Sequence, residues 1–323
     1  MRLNNIHKIL FITLSNIGDV ILTLPVLTCL KDNFKDASID IVLGPRPKDI
    51  FKKDPLVNKV IVYDKHSSLK DKVGFIKDLR KEKYDLAVDM RSSLIPFLIG
   101  ARYKTCIFSK RSPSRHKRQA HLEKLKDFDL YCKVGKNIHV AKEDREKIER
   151  ILKESGIDSG SLLIGMSPSC LSLTKEWEKD YFIEIIKEIL KRTDAKVVLI
   201  GEESKKSVSE HIVKGVNSTN IIDLTGKTNI NELFAIVERF NVLLTCDNAS
   251  MHIASDLGIK VVSIFGPTDP EEYGPTGNDD VVFQKKLSCV PCKKALCRFD
   301  HECMKAIKPA EVLEAVERLV FSC

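Results

Sequence analysis

"LTCDNASMHIASDLGIKVVSIFGPTDP", Leu244–Pro270, decides the fold class of this chain. Val242–Leu244 and Val261–Phe265 are short apolar runs that read as buried strands. Between them "DNAS" reads as a turn, and "MHIASDL" as a short helix that Gly258 stops. Strand, turn, helix and strand in so short a span make a parallel βαβ unit. Asp247, Asn248, Ala249, Ser250 and His252 therefore fall where a strand ends and a helix begins. Open α/β sheets bind ligands at the carboxyl ends of their strands, and the free N–H groups of a helix start favour an anion. The plain alternative has Asp247 capping the helix and His252 packing in the core. For a lone residue that alternative is the better one; the grouping at a sheet mouth favours a site.

Outward from this unit, the same grammar fills the second half of the chain. "LLIGMS", "KVVLIG", "IIDLTG", "VLLTC" and "KVVSIFG" each end in a polar or glycine-bearing turn. "GMSPSC" carries Ser169, and "LSLTKEW" carries Lys175, a point charge suited to phosphate, and Trp177. Trp177 reads better as a core anchor than as a base-stacking platform. "LIGEES" puts Glu202 and Glu203 at the same rim, where carboxylates suit ribose or sugar hydroxyls or simply begin an exposed helix.

The first half alternates likewise, from "KILFITL" (Lys8–Leu14) through "SIDIVLG", "KVIVYD" and "DLAVDM". Its first strand ends at "SNIGDV", with Asp19 either a helix cap or a base. One glycine there, not three, argues against a dinucleotide fingerprint. "VDMRSS" sets Arg91 at another strand end. "SKRSPSRHKRQAH" gathers Lys110, Arg111, Arg115, Lys117 and Arg118 in a basic loop that leads into a helix. No aromatic residues interleave with them, which speaks against single-stranded nucleic acid.

With 323 residues the chain suits two domains, divided here as 1–158 and 159–323 with "IDSGS" as linker. The first part holds 33 Lys+Arg against 21 Asp+Glu, the second 20 against 24, so the first half is expected to meet something anionic. No apolar run approaches the roughly 18 residues of a membrane span, and the N-terminus lacks a signal-peptide pattern. A cytoplasmic protein is expected, and its scattered cysteines (Cys29, Cys106, Cys132, Cys170, Cys246, Cys323) read as small core residues or a free tail thiol. Cys289, Cys292, Cys297 and Cys303 cluster with His301 nearby, which makes a structural zinc site an expectation beside reduced thiols or a local disulfide.

"SNIGDVILTLPVLTCLK", "VDMRSS", "TKEW", the Thr245–Thr268 motif and "CVPCKKALC" together resemble the bacterial heptosyltransferase family, glycosyltransferase family nine, over nearly the whole chain. The resemblance implies the α/β GT-B fold, two Rossmann-like domains with parallel sheets facing a cleft. It implies that the first domain binds the acceptor and the second the nucleotide sugar. The implied reaction is an inverting transfer with no metal or other cofactor, usually of heptose from ADP-heptose onto the inner core of lipopolysaccharide. By position, Asp19 matches the family's proposed base and Lys175 the residue that meets the diphosphate. Asp247, Ala249 and His252 match the motif that holds the donor, with Ser169, Asn248 and Ser250 beside them and Glu203 toward the ribose. The family often has glycine where this chain has Ala249. Arg91, Arg115, Lys117 and Arg118 are the acceptor-binding candidates, for a phosphorylated glycolipid met in peripheral contact with the inner membrane. Another nucleotide sugar within the family, or a GT-B-like sugar-nucleotide epimerase, is the alternative.

Overall fold

Ile9, Leu10, Phe11 and Ile12 are wholly buried, as are Leu163, Met166, Val242, Leu243 and Leu244. Strands apolar on both faces must be covered on both faces, which is the condition of a parallel sheet between helices. The computed structural model describes residues 3–106, 115–133 and 135–321 and has that architecture twice.

In the first unit the strands are β1 (Lys8–Ile12), β2 (Ser38–Leu43), β3 (Lys59–Val62), β4 (Leu86–Asp89) and β5 (Tyr103–Lys104). They lie in the order β3-β2-β1-β4-β5, all parallel. The helices are α1 (Ile17–Asn33), α2 (Leu69–Lys81), α3 (Ile95–Leu98) and α4 (Lys117–Glu123). The sheet grows from β1 in one direction and then, through β4, in the other. The switch point therefore lies between the ends of β1 and β4, the strands that lead to Asp19 and Arg91. α1 is buried from Val20 to Leu27, including Pro25. Thr23 Oγ1 donates to the Val20 carbonyl at 2.7 Å and contacts Thr13 Oγ1 at 2.7 Å, which fixes the helix to the end of β1.

The second unit opens with α5 (Lys142–Glu154) and contains β6 (Leu163–Ser167), β7 (Lys196–Leu199), β8 (Ile221–Asp223), β9 (Val242–Cys246), β10 (Lys260–Ile264) and β11 (Val281–Phe283). The order is β11-β10-β9-β6-β7-β8, again parallel, so the switch point falls between β6 and β9. Its helices are α6 (Lys179–Arg192), α7 (Lys206–Val216), α8 (Ile230–Glu238), α9 (Ala249–Leu257), α10 (Pro270–Tyr273), α11 (Glu302–Lys305) and α12 (Pro309–Phe321). α9 ends where the sequence indicates: Gly258 has φ 74°, a left-handed cap that costs glycine no Cβ clash.

Two expectations are corrected. The compact units divide after His139, not after residue 158. The reason is that α5 buries Ile148 and Leu152 and packs on α8, where Arg145 grips Glu238 through Nε (2.6 Å) and Nη2 (2.9 Å) and Lys147 reaches Glu232 at 2.6 Å. A charged, cap-less helix start gave no hint of that partner. Cys29 and Cys132 are not separate core thiols but a disulfide that ties α1 to the segment before Val134. Asn33 reinforces the tie, donating to the Tyr131 carbonyl at 2.7 Å and accepting the Tyr131 amide at 3.2 Å. No helix among the described residues is long and apolar enough to cross a membrane.

Trp177 is the anchor the sequence suggests. It is buried, its rim meets Tyr181 and Phe182 with ring centroids 5.2 Å apart, and its Nε1–H donates to the Ile307 carbonyl at 3.0 Å. That bond joins the start of α6 to the start of α12. Trp177→Phe keeps most of the apolar contact but leaves a buried carbonyl unpaired, and urea denaturation should show a loss of about 1–3 kcal/mol.

Candidate functional site

Ser167 of β6 stands opposite Thr245 of β9, so the two strands deliver "SPSC" and "CDNAS" side by side. Asn248, not Asp247, caps α9: its Oδ1 accepts the amides of Ser250 (3.0 Å) and Met251 (3.3 Å). Its Nδ2 donates to Ser167 Oγ (2.9 Å) and to the Ser169 carbonyl (3.0 Å). One side chain thus ends the helix and stitches both loops of the switch point. Ser250 joins the same seam through Ser167 Oγ at 3.3 Å.

Relieved of capping, Asp247 turns to Lys175. Nζ and Oδ2 are 2.6 Å apart, and Thr268 Oγ1 donates to the same oxygen at 2.6 Å. Asp247 is 6% exposed while Lys175 keeps 29%, so the ammonium is the member open to a ligand. Beneath them Cys170 Sγ lies 3.7 Å from the Lys175 carbonyl and 3.6 Å from that of Asp247. A hydrogen bond with Cys246, burial and the nearby Asp247 charge push the Cys170 thiol well above its ordinary pKa, so it keeps the proton those carbonyls accept. Glu176 then takes the Cys170 amide (3.1 Å) and Lys205 Nζ (2.7 Å), which ties this loop to the one after β7.

Glu203 sits on that neighbouring loop, largely exposed and 3.7 Å from Lys206 Nζ. It folds over Gly226, where φ is +72° and an added Cβ would come within 1.7 Å of Glu203 Oε2. His252 is buried in α9, and Ala249 is its first residue. Ser169 is buried with its carbonyl held by Asn248.

The turn that carries Thr268 is braced from behind. Gln284 Nε2 donates to the carbonyls of Gly266 (3.1 Å) and Thr268 (2.7 Å). The Lys293 amide donates to the Pro267 carbonyl at 2.7 Å, and Thr174 Oγ1 to that of Lys294 at 3.4 Å. A Cβ on Gly266 would meet Met304 Sδ at 2.5 Å, so only glycine lets the cysteine-rich segment close on the turn. Cys289, Cys292, Cys297 and Cys303 line one cavity with His301. The zinc expectation is not supported: among the described residues no group of three or more His, Cys, Asp or Glu is placed to hold a metal ion. Cys297 Sγ instead accepts the amides of Phe299 and His301, both at 3.4 Å, and Cys303 is buried, which raises its pKa. The segment serves here as a brace for Thr174 and Pro267.

In the first unit Asp19 is the third residue of α1, and Asn16 occupies the cap position. Asn16 Nδ2 donates to Asp19 Oδ2 at 2.9 Å, so the carboxylate is held beside the positive end of the helix without capping it. At the end of β4, buried Asp89 accepts the Arg91 amide (2.7 Å) and the Ser93 amide and hydroxyl (2.6 and 2.7 Å). Lys124 closes this loop, donating to the carbonyls of Asp89 (3.3 Å) and Met90 (2.9 Å) and to Ser92 Oγ (2.9 Å). Arg91 lies with its guanidinium 5.5 Å from the Tyr63 ring centre, and its buried Nη1 has no hydrogen-bond partner among the described residues. A buried guanidinium donor left open invites an anionic acceptor. Arg115, Lys117 and Arg118 stand at the start of α4, whose cap is His116, and Arg118 Nη2 donates to the Gly135 carbonyl at 3.0 Å. Lys110 and Arg111 lie outside the described residues.

Comparison with known proteins agrees with this arrangement. Residues 73–302 match the model of glycosyltransferase family 9 (heptosyltransferase). The chain belongs to glycosyltransferase family 9. A lipooligosaccharide heptosyltransferase 2 of Campylobacter jejuni is 26% identical over 316 residues, covering 94% of this chain and 95% of that protein. A family 9 glycosyltransferase structure from Veillonella parvula superposes with a TM-score of 0.86 at 21% identity, covering 100% of this chain and 99% of the other. The structure of the Escherichia coli ADP-heptose lipopolysaccharide heptosyltransferase II gives 0.78 at 18% identity, covering 97% and 98%. The fold is GT-B, as the resemblance implied.

For this glycosyltransferase the sequence missed several participants. Thr268 lies inside the opening motif, yet nothing local marks it as a partner of Asp247. Cys170, Gln284 and Lys124 act through contacts distant in sequence. The conspicuous signal for Lys124 was only its place after a basic run.

His121, on α4, is pushed down to about 4 by burial and by the charges of Lys124, Lys117 and His116. Its folded pKa lies below the unfolded value near 6.5, so the unfolded chain binds the extra proton between these limits. The stability it contributes is complete above about pH 6.5 and is lost as pH falls toward about 4. His121→Gln should flatten that part of the stability–pH curve by up to about 3 kcal/mol, read from urea titrations at a series of pH values.

Proposed function

We propose that this family 9 glycosyltransferase transfers a heptose from ADP-heptose to the inner core of a lipopolysaccharide, with inversion at the anomeric carbon. Family membership and the activities for which its relatives are named support the sugar and the acceptor; the observation that carries the donor assignment is the Lys175–Asp247–Thr268 group at the β6/β9 switch point. Lys175 meets the diphosphate. Asp247 and Thr268 then face the donor's hydroxyls, with Ser169, Ala249, Ser250 and His252 around them and Glu203 toward the ribose. Asn248 already takes the amides of Ser250 and Met251, so the ammonium carries more of the anion binding than the helix start does.

In this reading the second unit binds the nucleotide sugar and the first the acceptor, a phosphorylated glycolipid. Asp19 takes the proton from the attacking hydroxyl as the bond to the diphosphate breaks on the opposite face. Lys175 stabilises the charge that grows on the leaving group. Arg91 and the cations Arg115, Lys117 and Arg118 receive the anionic groups of the acceptor. The enzyme works at the cytoplasmic face of the inner membrane, in peripheral contact with it, without a nucleic-acid partner and without a cofactor in the transfer.

The test is release of ADP from ADP-heptose on addition of a heptose-free, truncated lipopolysaccharide, with the product's linkage read by NMR. ADP release that does not depend on acceptor, or none with any acceptor, would sink the proposal. Asp19→Asn should lower transfer about 100- to 10,000-fold while ADP binding stays within a few-fold. Lys175→Ala should weaken ADP binding by calorimetry and slow transfer as well, because its charge meets the diphosphate before and during cleavage.

A further inference from the structure

Between Asp89 and Glu123 the chain runs for 33 residues without a carboxylate and carries eight Lys and Arg. Two of the eight, Lys110 and Arg111, lie outside the described residues and are set aside. Within this run α3 buries Ile95 and Pro96, but Leu94 is 63% exposed, Phe97 49% and Leu98 53%. Three large apolar side chains on one short helical turn face solvent. Lys104 Nζ stands 5.1 Å from the centre of the Phe97 ring and donates to the Ala101 carbonyl at 2.7 Å. The Arg102 guanidinium stands 4.9 Å from the Tyr103 ring. Apolar tips are thus rimmed by cationic side chains whose charged heads lie over aromatic rings.

We propose that α3 with its flanks is a membrane-docking element: Leu94, Phe97 and Leu98 enter the boundary between headgroups and acyl chains of an anionic bilayer, while Lys104 and Arg102 lie among the phosphates. Charge complementarity decides the occupant. A second copy of the same face would bring Arg102 and Lys104 against the same cations of its partner, which repel. Nucleic acid would satisfy the cations but leave Leu94 and Leu98 without an apolar medium. An anionic bilayer supplies both, and short apolar elements with a basic rim partition to such interfaces. The loop Asp89–Ser93, which carries Arg91, leads directly into α3 and is clamped by Lys124, so docking brings that loop close to headgroup level. The proposal deepens the acceptor side of the function given above, whose substrate is itself a lipid, but its test needs neither donor nor acceptor.

The full-length protein is sedimented with vesicles of phosphatidylglycerol and phosphatidylcholine and, separately, of phosphatidylcholine alone. Binding should require phosphatidylglycerol, and Leu94→Ser/Phe97→Ser/Leu98→Ser should weaken it at least about tenfold without lowering the thermal midpoint. Phe97→Trp supplies an independent reading, since Trp177 is buried in the other unit and gives a steady background. Its emission should move to the blue on vesicles and be quenched by brominated acyl chains. No phosphatidylglycerol-dependent binding overturns the proposal. So does binding that the triple variant retains in full and salt alone abolishes, or a Phe97→Trp emission that vesicles leave unmoved. Self-association that the triple variant removes, with no vesicle binding, would make the face a contact between copies and overturn it as well.

Discussion

A parallel strand covered on both faces has nowhere to put a polar group that needs water except its ends. That constraint organises both units. β4, β6 and β9 are buried along their length and β1 beyond Lys8, and polar side chains inside the strands are held by hydrogen bonds. Asp40 of β2, for example, accepts from Tyr84 Oη at 2.8 Å and Asn58 Nδ2 at 2.7 Å. The chemistry-bearing residues are therefore delivered to the carboxyl ends, and the reversal of strand order opens room between neighbouring ends: Asp19 and Arg91 at β1 and β4, Lys175 and Asp247 at β6 and β9.

Loops at such a reversal have no ladder to hold them, so each needs its own support. In the second unit that support is layered. Asn248 sews the two loops together, Cys170 reaches the carbonyls of both members of the ion pair, and Gln284 fixes the turn that brings Thr268. The cysteine-rich segment adds the outermost layer through Lys293 and Lys294. In the first unit Asp89 and Lys124 do the same for the loop of Arg91, one from the carboxylate side and one from the ammonium side. The two sites share a logic: a buried residue shapes the loop so that a neighbouring charge can stay open.

Much of this was legible in the residues. Periodicity placed the strands, and the turn chemistry of "DNAS" and Gly258 placed α9, because both depend on neighbours within a few positions. The residue at each strand end could be read for the same reason. What escaped was set by partners far along the chain. The division between units depends on which sheet α5 covers, and its charged surface is the same whichever it chooses. The Cys29–Cys132 bond joins residues 103 apart in sequence with nothing local to pair them. The cysteine cluster has ligand-like spacing, yet spacing says nothing of where the sulfurs point once Cys303 is drawn into the core. Which of Asp247 and Asn248 caps α9 was not legible either, because both can cap a helix and only the position of Lys175 and Thr268 decides between them.

The contact between Lys175 and Asp247 makes the resting site its own competitor. An arriving anion has to share the ammonium with a carboxylate already 2.6 Å from it, so whatever it gains is reduced by the pairing it weakens. A small anion that offers only charge draws the ammonium toward itself and gives the buried Asp247 carboxylate nothing in return. A molecule that brings hydroxyl groups as well as phosphate can satisfy Asp247 and Thr268 in the same event and recover the loss. On the proposed donor assignment, discrimination between simple anions and a sugar-bearing diphosphate begins in this ion pair, before any other contact is made.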